Sequence, residues 1–130
     1  MENRNFINGS FIDSISNKNV DVINPANQAL VGSINEAMNE EIDLAVDAAK
    51  KAFEKRILQD MDAKVKSNMM RSIASKLREY SEIGGKLLSQ ENGKTISQCI
   101  GEFKGAANTF DFYAGMTCLL YTSPSPRDSD

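Results

Sequence analysis

The strongest nucleophiles in the sequence are two thiols, Cys99 and Cys118, and no histidine is present to activate either. Cys99 falls on the apolar side of a predicted helix, where a cysteine behaves as a small buried hydrophobe rather than a reactive thiolate. Two cysteines without histidine exclude a zinc cluster, and no disulfide framework is expected. No Gly-rich phosphate loop of either common pattern occurs, and Gly84-Gly85 lacks the preceding strand that such a loop needs. The carboxylates between Glu36 and Asp43 read as a charged first helical turn, and Met61, Met69 and Met70 as core filler. In Asn92-Gly93-Lys94, Gly93 reads as a helix terminator, and Lys94 as a cation beside exposed helix-end carbonyls. The residues taken singly therefore carry no reaction.

The elements that would position them are clearer. Of 130 residues, 41% are hydrophobic and 25% charged, which suits about one soluble domain. The net charge of -3 with interspersed signs gives no footprint for nucleic acid or an anionic membrane. No apolar run approaches the roughly 20 residues that span a bilayer. The start, Met1 to Asn5, lacks the apolar core of a signal peptide, so a cytoplasmic chain is the default.

Asn8-Gly9 between Phe6-Ile7 and Phe11-Ile12 predicts a hairpin, since both turn residues accept positive φ. Val20–Ile23 reads as a strand ended by Asn24-Pro25, and Ala29–Ile34 as another. Asn39 is the expected N-cap of a helix whose buried stripe is Ile42, Ala45, Val46, Ala49, Ala52 and Phe53. Arg56 to Val65 reads as a connection. From Asn68 to Gly93 apolar residues recur at helical steps, with a break near Ser81 that lets Ser81 cap a second helix. Gly84-Gly85 costs roughly 1 kcal/mol per glycine relative to alanine. Burial of Met70, Ile73, Leu77, Leu87 and Leu88, on the order of 1.5–3 kcal/mol each, outweighs it if something covers the stripe. Thr95 and Gln98 fit a capping box ahead of a helix expected to stop at Gly115.

In order and spacing these pieces resemble the N-terminal part of the NAD(P)-dependent aldehyde dehydrogenases. The match runs through Phe6-Ile7-Asn8-Gly9, Val22-Ile23-Asn24-Pro25-Ala26, the helix Asp43 to Phe53, Lys66 to Ala74, Glu91-Asn92-Gly93-Lys94 and Phe112-Tyr113-Ala114-Gly115. The family's tryptophan shortly after the helix ending at Phe53 is missing, and the connection from Lys55 to Val65 is lengthened. The resemblance implies an α/β fold class: the hairpin, short strands and outer helices of a cofactor-binding domain, over residues 1–117. It implies a parent that oxidises an aldehyde to a carboxylic acid with NAD or NADP, through a cysteine thiohemiacetal, and assembles as a homo-oligomer. The family's catalytic and cofactor residues have no counterpart in this stretch, so no residue here takes either role and the chain itself is expected to be inactive. By position, the carbonyls of Val22 and Ile23 and the side chain of Glu91 match the family's structural monovalent cation site, with Glu91 where Asp is often found; hard cations take such oxygen ligands. A solvated helix-end carboxylate is the plain alternative for Glu91.

The run Cys118 to Asp128 changes character, holds two of the three prolines, and resembles the in-frame translation of a sequencing-library transposase adapter. Residues 118–130 are accordingly expected to be a non-native, disordered tail. The competing class is a self-standing α+β interaction module without catalysis. That class predicts cooperative unfolding of a monomer, where a piece of a larger domain predicts weak helicity, exposed apolar stripes, dye binding or aggregation.

Overall fold

A computed structural model describes residues 4–16 and 18–119, the last two by their backbone alone. The chain divides into two units, one formed by residues 1–59 with 90–93, the other by 60–89 with 94–130.

In the first unit, β1 (Asn5–Ile7) and β2 (Ser10–Ile12) pair antiparallel, with Phe6 opposite Phe11. Asn8 and Gly9 turn the chain at φ 51° and 80°, the expected hairpin geometry. The two phenyl rings meet at a 60° tilt, centroids 5.0 Å apart, on an exposed face. β3 (Asn19–Ile23) pairs antiparallel with β4 (Leu30–Asn35), and a bulge falls between Val22 and Ile23. β3 ends as expected at Asn24-Pro25: Asn24 Oδ1 accepts from the Ala26 amide at 2.9 Å and starts the turn.

The helix α1 (Asn39–Glu54) corrects two expectations. Its N-cap is Met38, which has no side-chain oxygen, so Asn39 is already helical. Glu41 supplies the capping instead: its Oε2 reaches back to accept from the Met38 amide at 2.9 Å, half of a capping box. The stripe expected to be buried is open. Ile42 and Val46 are exposed, and Phe53 is 71% exposed, because the short strands of this unit are too narrow to cover the helix. Glu41, read from sequence as part of a charged first helical turn, is 1% exposed.

The second unit holds α2 (Ala63–Glu79), α3 (Ser81–Asn92, whose last residues belong to the first unit) and α4 (Ile96–Leu119). α2 starts before the expected Asn68, because Asp62 Oδ1 caps it through the Lys64 and Val65 amides at 2.9 and 3.1 Å. Its apolar residues split between two faces. Ala74 is buried, whereas Met69, Ile73 and Tyr80, with half-buried Leu77 at their side, line an open apolar groove. The helix breaks before Ser81 as expected, yet the Ser81 hydroxyl donates back to the Arg78 carbonyl at 2.8 Å and closes α2. Gly84 and Gly85 have a packing reason beyond tolerance. A Cβ at Gly85 would stand 2.9 Å from the Ile100 backbone nitrogen, and one at Gly84 2.2 Å from the Phe103 ring. The pair lets α3 lie directly on α4.

Along α4, Cys99, Ala107 and Ala114 are fully buried, so the thiol is the small hydrophobe its position predicted. Thr95 Oγ1 accepts from the Gln98 amide at 3.4 Å and donates to Gln98 Oε1 at 3.0 Å, which makes half of the expected box. Gly115 does not stop α4, which runs on to Leu119; an isolated glycine costs too little to end a helix whose flanking turns are packed. Met116 and Thr117 stay half-buried there, and Thr117 Oγ1 donates to the Ala114 carbonyl at 2.9 Å. Of the expected tail, 120–130 lies outside the described residues, and the backbone of Cys118 and Leu119 is helical.

Candidate functional site

Glu91 reaches the β3–β4 ribbon through a close approach at Gly93. Gly93 ends α3 at φ 77°, and the position its Cβ would take is 2.9 Å from the Pro25 ring. Only glycine meets both conditions without strain. With Gly93 seated on Pro25, the end of α3 lies beside the strand that leads into Asn24-Pro25. Val22, Val31, Gly32, Ser33, Ile34 and Glu91 then line one cavity of about 30 Å³. That volume suits a single water or a small ion.

Two of the three sequence-predicted ligands, Val22 and Glu91, thus share one cavity. Ile23 sits next to Val22 across the bulge and is not among the lining residues. The bulge is relevant because it interrupts the hydrogen-bond ladder at the two candidate carbonyls. Val31 and Gly32, opposite the interruption, complete the wall and were not read from sequence; a glycine inside a strand pattern was the available signal. Lys94 Nζ donates to Glu102 Oε1 at 2.6 Å, and the carboxylate beside it holds the ammonium above its usual range.

Among the described residues no group of three or more histidine, cysteine, aspartate or glutamate side chains is placed to hold a metal. Cys99 is fully buried and not in a disulfide. Among the described residues no helix is long and apolar enough to cross a membrane.

Hairpin, ribbon and helices match part of an α/β cofactor-binding domain. Over 88% of its length the chain superposes on 23% of betaine aldehyde dehydrogenase from Staphylococcus aureus, solved in complex with NAD+, with a TM-score of 0.82 and 29% identity. The sequence model of the aldehyde dehydrogenase family matches residues 11–128, and the chain belongs to that family. It is 34% identical over 114 residues to the peroxisomal aminoaldehyde dehydrogenase 1 of Pisum sativum, covering 85% of this chain and 23% of that protein. It is 32% identical over 125 residues to an aldehyde dehydrogenase of Aspergillus niger, covering 96% and 25%. The chain spans about a quarter of the length of the relatives it matches.

Proposed function

We propose that this chain is an N-terminal piece of an aldehyde dehydrogenase whose parent oxidises an aldehyde to the carboxylic acid with NAD or NADP, and that the piece alone is inactive. One observation supports the reading: nearly the whole chain aligns with, and superposes on, only about a quarter of the length of such enzymes. The exposed apolar faces of α1 and α2 agree with it, since in a complete domain such faces pack on further layers. In this reading a cysteine thiolate of the parent attacks the aldehyde, hydride passes to the nicotinamide, and water releases the acid. None of those groups is assigned to a residue of this chain. The NAD+ complex of the Staphylococcus aureus enzyme supports a nicotinamide cofactor, and the aminoaldehyde and betaine aldehyde relatives support a small aldehyde as substrate. A homo-oligomeric parent in the cytoplasm completes the proposal.

Sequencing the source transcript past Thr117 tests it directly. The expected result is a continued frame carrying a Gly-rich turn, a glutamate-bearing strand and a cysteine; a native stop codon after Asp130 would overturn the reading. Purified chain incubated with NAD+ and betaine aldehyde should form no NADH, and any enzyme-dependent absorbance at 340 nm sinks the inactivity claim.

The same reading makes Val22, Ile23 and Glu91 ligands of a structural monovalent cation. Backbone carbonyls with one carboxylate fit a hard, singly charged ion. Replacing K+ by tetramethylammonium should lower the thermal midpoint of the chain but not of the Glu91→Ala variant. Equal midpoints in both salts would remove the cation from the proposal.

A further inference from the structure

The hairpin β1–β2 is fastened to α1 mainly by one side chain. Its own aromatic pair is exposed, while Ile7 and Ile12 line an open pocket with Leu44 and Ala48 of the helix. The Glu41 carboxylate supplies the rest. Oε1 accepts from Asn5 Nδ2 at 2.9 Å, and Oε2 accepts from Ser14 Oγ at 3.0 Å and the Met38 amide at 2.9 Å. One buried group therefore ties together the start of β1, the segment after β2 and the start of α1.

All of these donors are neutral. The charged side chains on the packed segments are Arg4, Asp13, Glu36, Glu40, Asp43, Asp47, Lys50, Lys51 and Glu54, and the carboxylate's bonds named above come from none of them. The negative charge is held by hydrogen bonds and by the positive end of α1. The Met38 amide, then the Asn5 and Ser14 side chains, keep the carboxyl below its ordinary value of 4.5, against the opposing effect of burial. Ser14 adds a second position for the proton. Its hydroxyl lies 2.9 Å from the Glu36 carbonyl as well as 3.0 Å from Glu41, and its one hydrogen can serve a single acceptor at a time.

We propose that Glu41 is a proton-operated latch: ionised, it holds the N-terminal hairpin on α1, and protonated, it lets the hairpin come away while α2–α4 stay folded. Protonation turns charge-assisted bonds into neutral ones and frees the Ser14 hydroxyl to turn to the Glu36 carbonyl.

Hydrogen exchange by mass spectrometry on the full chain, between about pH 6 and about pH 3 and corrected for intrinsic rates, tests this. Protection over residues 5–12 should fall about tenfold for each unit by which the carboxyl sits below its ordinary value, while α2 and α4 keep theirs. In Glu41→Gln the hairpin should be insensitive to pH over that range, and in Glu41→Ala it should be open throughout. The latch is overturned if wild-type protection does not change, if Glu41→Gln loses it with the same pH profile, or if α2 and α4 open at the same pH as the hairpin.

Discussion

The two units are held together by opposite chemistry. Among the described residues, the fully buried apolar side chains all lie on α2 and α4, and they are small: Ala74, Cys99, Ala107 and Ala114. In the first unit the buried side chain is a carboxylate, Glu41. The helical unit gains by close backbone approach, in which dispersion and apolar burial add up without side-chain entropy to lose. The strand unit, with short elements and little interior, is knit by directional bonds at one node. The first kind of packing is insensitive to pH and intolerant of added volume; the second is the reverse.

The sharpest way to break the contrast is to add one methyl group. Gly85→Ala would drive a Cβ into the backbone of Ile100, and should destabilise the helical unit by about 2–3 kcal/mol even after the gain in helix propensity. Gly84→Ala meets only the far end of the Phe103 ring, which can turn aside, and should cost less than about 1 kcal/mol. Urea unfolding followed by helix circular dichroism reads both, and equal costs would show that backbone proximity is not the cause. Glu41→Ala should leave that urea midpoint in place while the hairpin amides lose dispersion in NMR spectra. With the sign worked out, a carboxyl lowered on folding contributes stability above 4.5 that disappears as pH falls through its folded value, so acid should loosen the first unit before the second. Ser67→Ala removes the buried 2.8 Å bond to the Ala114 carbonyl and should cost about 1 kcal/mol, confined to the helical unit. Smallest is Arg78→Ala. Its pair with Asp111 at 2.7 Å is partly exposed, and the loss should stay below about 1 kcal/mol and shrink further in high salt.

The same contrast decides what could be read without a structure. Helical steps found α2, α3 and α4, because apolar periodicity and small-residue packing leave a repeating pattern. Asn8-Gly9 and Asn24-Pro25 marked the strands, because a turn requires particular residues. Glu41 left no such trace: a first-turn acid that is solvated and one that is buried look alike until Asn5 and Ser14 are placed against it. The start of α2 was hidden for a similar reason, since Asp62 sits in a mixed stretch, between Met61 and Ala63, that shows no apolar period. At Gly115 a local rule gave way to packing. In the candidate site, Val22 and Glu91 were placed by likeness to a family; Val31 and Gly32 came from the bulge, which periodicity does not encode.

Gly93 on Pro25 imposes an order of events on the growing polypeptide. The first unit draws one wall from residues 90–93, made only after α2 and most of α3. A nascent chain that has just emerged through Glu54 therefore carries both strand pairs and α1 but cannot seal the space behind Val22. Its closure waits on the ribosome for a glycine more than thirty residues downstream.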